Sequence, residues 1–172
     1  MNTMTDIPAF DAAAPLRQAM RGMAQSVVLI TTMFDGQRHA MTATSVCSVS
    51  MDPAVMLICI NRSASAYNAL SRSRTFYINL LSERHETIAR QCSGAAKGEE
   101  RFAYGKFAID ESNVPYLADA QATIRCTRDS MMSYGTHDAI FGRVEVVRFQ
   151  PTIQPLLYVN GTYTTPSFPT GR

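Results

Sequence analysis

At 172 residues the chain has the length of one domain and enough mass to bury a core. Its 46% hydrophobic and 17% charged residues describe a globular protein rather than a disordered one. A net charge of +2, with no Lys/Arg cluster longer than a pair, gives no nucleic-acid footprint, and the apolar run 54–60 is too short to span a bilayer.

The first ten residues carry no basic region followed by an apolar stretch, so no signal peptide is expected. Residues 13–24 read as a helix: Pro15 suits its first turn, and Leu16, Ala19, Met20 and Met23 share one face. Gly22 weakens its end. Residues 26–34 form a β-branched run, and Asp35-Gly36 marks a tight turn into a second strand over 38–50. Asp52-Pro53 stops that strand, because proline has no N–H for a ladder. Residues 55–60 read as a buried central strand, 65–71 as a short helix capped by Asn61, Ser63 or Ser65, and 75–80 as another strand. Residues 82–92 read as a helix with Leu81, His85, Ile88 and Cys92 inward, followed by a loop-like or weakly helical stretch over 93–105. Strands follow over 122–128, 139–149 and 156–159.

Several strands, few helices and no βαβ alternation predict a mainly β protein. The expected form is a closed antiparallel barrel with peripheral helices, in one domain over 1–172. The ends, 1–12 and 165–172, are expected to be loosely ordered. The four cysteines form no C-x-x-C pair, which argues against a metal site or redox dithiol and suggests a reducing, cytoplasmic setting.

G-x-G-x-x-G after a strand, G-x-x-x-x-G-K-[ST], H-E-x-x-H and G-x-S-x-G are all missing. That leaves Rossmann nucleotide, NTPase, zincin and esterase chemistry without support. The segment His39–Ser65 is unusual instead. Thr42, Thr44, Ser45, Ser48 and Ser50 bring more hydroxyls than a strand ladder needs, and Asn61, Ser63 and Ser65 follow the greasy run 55–60. Such a chain would line a pocket for a flat, polar-edged ligand with a phosphate. The plainer alternative is a Thr-rich strand followed by an N-capped helix.

The pattern G-x-x-H-A-M-T-A-T-S-V-C-S-V-S-M-D-P from Gly36 to Pro53 resembles the signature of the short-chain flavin reductases, the reductase components of two-component flavin-dependent monooxygenases. The likeness continues at Cys59 to Ser65, Phe76 to Leu80, Arg101-Phe102, Gly135-Thr136-His137, Phe141 to Val144, Pro155 to Tyr158 and Gly161-Thr162-Tyr163. It implies the FMN-binding split barrel, NADH or NADPH as electron donor, FMN or FAD as acceptor, a homodimer and a partner oxygenase. It carries flavin contact onto Thr42, Ala43, Thr44 and Ser45, with Ser50 and Pro53 at the end of the same signature.

By the same likeness Asn61, Arg62, Ser63 and Ser65 fall at the ribityl-phosphate end, where a helix N-terminus would assist. Arg101 would meet a pyrophosphate of the flavin or dinucleotide and Phe102 border the site; the alternative is a surface Arg over a core Phe. His137 is implied at the nicotinamide or flavin face, but the family's Gly-Asp-His is here Gly-Thr-His with Asp138 one place later. Tyr163 either stacks on a ring or belongs to the core. Rival readings are an oxidase of the pyridoxamine-phosphate type or a haem-degrading relative, a non-enzymatic flavin carrier, and a plain small-ligand barrel.

Overall fold

The structure, a computed structural model, describes residues 11–168. The expectation of loose ends at 1–10 and 169–172 lies outside the described residues; Thr165–Phe168 carry no regular structure. Helix α1 (Ala13–Met20) ends before Gly22, shorter than the periodic pattern. Its apolar face is not buried: Leu16 and Met20 are exposed, and so is Met23 just beyond. The C-terminal end of α1 is tied down by Arg21, whose carbonyl accepts from the Asn160 amide at 2.8 Å and whose Nε donates to Asn160 Oδ1 at 3.0 Å.

Short β1 (Gln25–Ser26) precedes β2 (Val28–Phe34), which returns through Asp35-Gly36 as β3 (Gln37–Ala43). Both turn residues have positive φ, 50° and 71°, as a two-residue hairpin with right-handed strand twist requires. The long second strand expected over 38–50 is interrupted: Thr44 and Ser45 leave the ladder, and β4 (Val46–Met51) starts anew before β5 (Ala54–Asn61). Helix α2 (Tyr67–Arg72) and β6 (Thr75–Leu80) follow. The expected helix over 82–92 is a chain of single turns, with 3-10 geometry at Glu83–His85, α3 at Glu86–Arg90 and a wide turn at Gln91–Ala95 broken by Gly94 at φ 135°. Its inward residues Leu81, His85, Ile88 and Cys92 are nevertheless buried. A 3-10 turn at Gly98–Phe102 and a hairpin of β7 (Phe107–Ile109) and β8 (Pro115–Leu117) lead to β9 (Ala122–Tyr134) and β10 (His137–Phe149). Strands β11 (Leu157–Val159) and β12 (Thr162–Thr164) close the chain and form a small sheet with β1.

The main sheet is antiparallel and seven-stranded, in the order β3-β2-β6-β9-β10-β5-β4. β2 is buried on both faces. Val28 and Ile30 join the cluster inside the curl with Ile58, Ile60, Phe76 and Ile140, while Leu29 joins Leu81, Ile88, Phe102 and Leu117 outside it. Its buried threonines are satisfied: Thr31 Oγ1 donates to the Pro115 carbonyl at 2.6 Å and Thr32 Oγ1 to the Thr75 carbonyl at 2.7 Å. At a bulge in β10, Gly142 lets Phe76 approach so closely that an added Cβ would sit 2.6 Å from its ring.

The barrel is split rather than closed. β3 and β4 are the two edges of the sheet, and no ladder joins them. Yet only Thr44 and Ser45 separate them in sequence, and three Cα steps span at most about 11 Å. The edges therefore meet at one corner and diverge from it. β5 reads as a fully buried strand in sequence, but only Ile58 and Ile60 are buried, because Val55, Leu57 and Cys59 alternate onto the outer face.

Candidate functional site

The open corner of the barrel is a cleft of about 630 Å³, within the usual range of small-molecule sites. Thr42, Ala43, Thr44 and Ser45 form one wall, Cys59, Asn61 and His137 another, and Tyr158, Gly161 and Tyr163 the rim. Because Thr44 and Ser45 leave the ladder, neither backbone N–H has an acceptor in the protein among the described residues. Their carbonyls are used, Thr44 by the Val46 amide at 3.0 Å and Ser45 by the Cys59 amide at 2.9 Å. Two adjacent free donors at a cleft wall are what an acceptor-rich ring edge needs. The Thr42 hydroxyl is not free: it donates to the Ala89 carbonyl at 2.7 Å and holds α3 against β3. Arg90, the cation at this wall, is neutralised by Glu86, with Nε 2.9 Å from Oε1, and lies 4.8 Å from the Tyr163 ring centre. Tyr163 packs edge-on against Tyr158 at 5.2 Å, and burial raises its hydroxyl pKa. The cleft is thus polar and nearly neutral.

His137 opens β10 directly opposite Asn61 on β5, so both side chains stand on the cleft face. Asp138, one residue along, turns to the other face and is 1% exposed. It accepts from the Tyr67 hydroxyl at 2.6 Å, and that bond, more than Ser133 or the nearby Arg62 charge, holds its carboxyl below the usual range. Asp138 therefore does not pair with His137, whose Nδ1 lies 3.0 Å from Thr136 Oγ1 instead. Arg62 braces the same turn: its amide donates to the Thr136 carbonyl at 3.0 Å, its guanidinium donates to the Gly135 carbonyl, and its Nε is 3.7 Å from Asp138 Oδ1.

Two residues further up β3, about 7 Å along the strand, Ala40 begins a second pocket of about 420 Å³. Arg38, His39, Ser65, Lys97 and Arg101 line it, with Gly94 and Gly98. Arg101 is only 8% exposed and has no carboxylate partner among the described residues. Its guanidinium donates to the Ala96 carbonyl at 3.0 Å, the Ala40 carbonyl at 2.6 Å and Ser65 Oγ at 2.7 Å. Three of five donors are used, and a charge buried this deeply costs several kcal/mol unless an anion or further hydrogen bonds compensate it. Burial, and to a lesser degree the Arg101 charge, keeps His39 below the ordinary imidazole pKa. The pocket is basic and suits a phosphate.

Of the residues singled out in sequence, Thr42, Ala43, Thr44, Ser45, Asn61, His137 and Tyr163 meet at the cleft. Ser65 and Arg101 meet at the basic pocket. Ser63 lines neither cavity; its N–H and hydroxyl both donate to Asn61 Oδ1 at 2.9 Å, a local turn. Helix α2 starts after Ala66 with no side-chain cap, so the expected capping by Asn61, Ser63 or Ser65 does not form. Phe102 belongs to the core, edge-on to Phe107 at 4.8 Å. Ser50 and Pro53 sit at the β4–β5 hairpin, away from both cavities, where Ser50 Oγ accepts from the Asp52 amide at 3.1 Å. Sequence reasoning missed Arg38, Lys97, Tyr158 and Arg90. Only the glycines and charges over 93–105 hinted at Lys97 and the likeness at Pro155 to Tyr158 touched Tyr158, while nothing in the local pattern marked Arg38 or Arg90.

An open antiparallel barrel with its cleft at the split is the split-barrel class. Residues 20–167 match the flavin reductase like domain, and the chain belongs to that family. Over 153 residues, 89% of this chain and 76% of the relative, it is 41% identical to an FMN reductase (NADH) RutF 1 of Methylorubrum extorquens. It is 36% identical over 170 residues to the NADH:riboflavin 5'-phosphate oxidoreductase of Streptomyces pristinaespiralis, with 96% of each chain covered. The structure of the Streptomyces globisporus NADH:FAD oxidoreductase SgcE6, in complex with NAD and FAD fragments, superposes with a TM-score of 0.85 at 23% identity, over 96% of this chain and all of that one. That last likeness is one of fold alone.

Proposed function

We propose that the protein is an NAD(P)H-dependent flavin reductase that binds FMN with its ring in the neutral cleft and its phosphate in the basic pocket. The observation that carries the reading is Arg101, a buried guanidinium without a carboxylate partner among the described residues, whose bond to the Ala40 carbonyl places it along the same strand that leads to the free amides of Thr44 and Ser45. The names of the relatives, FMN reductase (NADH) and NADH:riboflavin 5'-phosphate oxidoreductase, support it and favour NADH as donor and FMN as acceptor. FAD and NADPH remain the alternative substrates.

In the reaction a hydride leaves C4 of the dihydronicotinamide for flavin N5 and water supplies a proton at N1, giving oxidised dinucleotide and two-electron-reduced flavin. The Thr44 and Ser45 amides orient the acceptor edge of the ring. Arg101, Lys97 and Ser65 fix the phosphate. His137 stands on the cleft face where a nicotinamide stacks, and it acts there without a carboxylate partner. Burial raises the pKa of the Cys59 thiol at the cleft wall, which disfavours it as a nucleophile and agrees with catalysis by positioning two rings about 3–3.5 Å apart.

The whole chain acts as one domain, and the reduced flavin passes to a partner oxygenase. The reductase works as a homodimer in the cytoplasm. The dimer is supported by the uncovered outer face of the sheet beside the cleft, where Leu57, Ala139, Phe141 and the exposed Met132 adjoin Cys59. Four free cysteines suit a reducing compartment, and among the described residues no helix is long and apolar enough to cross a membrane.

The test is NADH oxidation followed at its near-ultraviolet band with FMN, FAD or riboflavin in excess. Turnover that requires added flavin is expected; flavin bound tightly without turnover would make the protein a carrier instead. His137→Ala is expected to raise KM for NADH about tenfold with FMN affinity little changed. Equal losses for both ligands would move His137 out of the nicotinamide role.

A further inference from the structure

We propose that the Arg38–Glu99 ion pair makes this site take FMN in preference to FAD. The inference rests on the reading above, in which the basic pocket holds the flavin phosphate. Beyond that pocket lies an outer groove of about 490 Å³ along Gly36, Gln37 and Glu99. The two cavities share Arg38, His39 and Gly98, which therefore form the wall between them.

Arg38 is held in that wall from two sides. Its guanidinium lies 4.3 Å from the centre of the Phe102 ring, and it donates to both Glu99 carboxylate oxygens, from Nε at 3.3 Å and from a terminal nitrogen. Glu99 is presented by the turn Gly98–Phe102, which Gly98 opens at φ 52°, a backbone conformation that side chains avoid. The pair is thus a clasp between β3 and this turn.

A monophosphate ends inside the basic pocket, against Arg101, Lys97 and Ser65. FAD continues from that point with a second phosphate, a ribose and an adenine, and these must pass between Arg38 and Glu99 to reach the outer groove. The passage breaks the clasp and brings a second anionic charge against the Glu99 carboxylate. At about 4 Å that repulsion alone is worth about fivefold in affinity even in water.

The experiment compares dissociation constants for FMN, FAD and riboflavin, by flavin fluorescence titration, in the wild type, Glu99→Gln and Arg38→Gln. Glu99 is largely exposed (67%), so its replacement leaves the core intact. In Glu99→Gln, FAD is expected to gain on FMN by about fivefold or more. Arg38→Gln opens the same clasp but leaves the Glu99 charge in the wall, so FAD is expected to gain on FMN there too, by less than in Glu99→Gln. That order is required. A ratio unmoved in either variant, or a wild type that binds FAD as tightly as FMN, overturns the proposal. A wild type that binds FMN no better than riboflavin would overturn the phosphate reading beneath it instead.

Discussion

The neutral cleft and the basic pocket lie along the same strand and are built on opposite principles. The cleft has its donors where a strand stops: Thr44 and Ser45 step out of the ladder, and their amides are left over. Its cation, Arg90, is neutralised by Glu86. In the pocket the reverse holds. There the backbone is satisfied by a side chain, Arg101, whose charge has no carboxylate to meet it among the described residues. One site recognises shape and hydrogen bonding with uncharged groups, the other recognises charge. A ligand with a flat polar ring at one end and an anion at the other fits the pair.

Three changes would break or sharpen that contrast. The largest effect is expected from Arg101→Lys, which keeps the charge but loses the fork that joins Ala96, Ala40 and Ser65. FMN should bind about 10- to 100-fold more weakly while riboflavin changes little. Titration at rising salt sharpens the same point, since FMN affinity should fall with ionic strength in both proteins, which keep the charge, while riboflavin affinity should not. Parallel losses for both flavins would erase the distinction between the two sites.

A smaller effect, about tenfold, is expected from Ser45→Pro, which deletes one cleft amide and no charge. It should weaken FMN and riboflavin alike, with an unchanged thermal midpoint as the control. A loss confined to FMN would place the phosphate, rather than the ring, at the split. The Glu99→Gln shift belongs at the end of this series, because it concerns the exit from the pocket and not the pocket itself.

Much of this molecule is legible in its sequence because it depends on neighbours in the chain. Asp35-Gly36 announced its turn by the positive φ it must supply, and 75–80 its strand by its β-branched and aromatic residues. The inward set Leu81, His85, Ile88 and Cys92 followed from periodicity even though the helix itself is broken into separate turns. The hydroxyl-rich segment marked the cleft wall. The same reasoning could not see why it matters: the useful donors are the Thr44 and Ser45 amides, not the Thr42 hydroxyl, which α3 consumes. Nor could it foresee that α1 leaves its apolar face uncovered, since periodicity records a face and not what covers it.

The displaced carboxylate illustrates the boundary. Shifting an acid by one residue along a strand sends it through the sheet, so Asp138 pairs with Tyr67 and Arg62 instead of His137. Alternation alone predicts that separation, once His137 is placed in a strand.

By itself the sequence determined the mainly β character and the Asp35-Gly36 turn, which rest on local pattern, and the family, which rests on a likeness spread along the chain. The tertiary structure decided that the barrel stays open at Thr44–Ser45, that Ser65 and Arg101 share one pocket, and that Arg38 is clasped by Glu99. These depend on residues 36 to 61 positions apart in the chain, and no local pattern encodes which distant partner a side chain will meet.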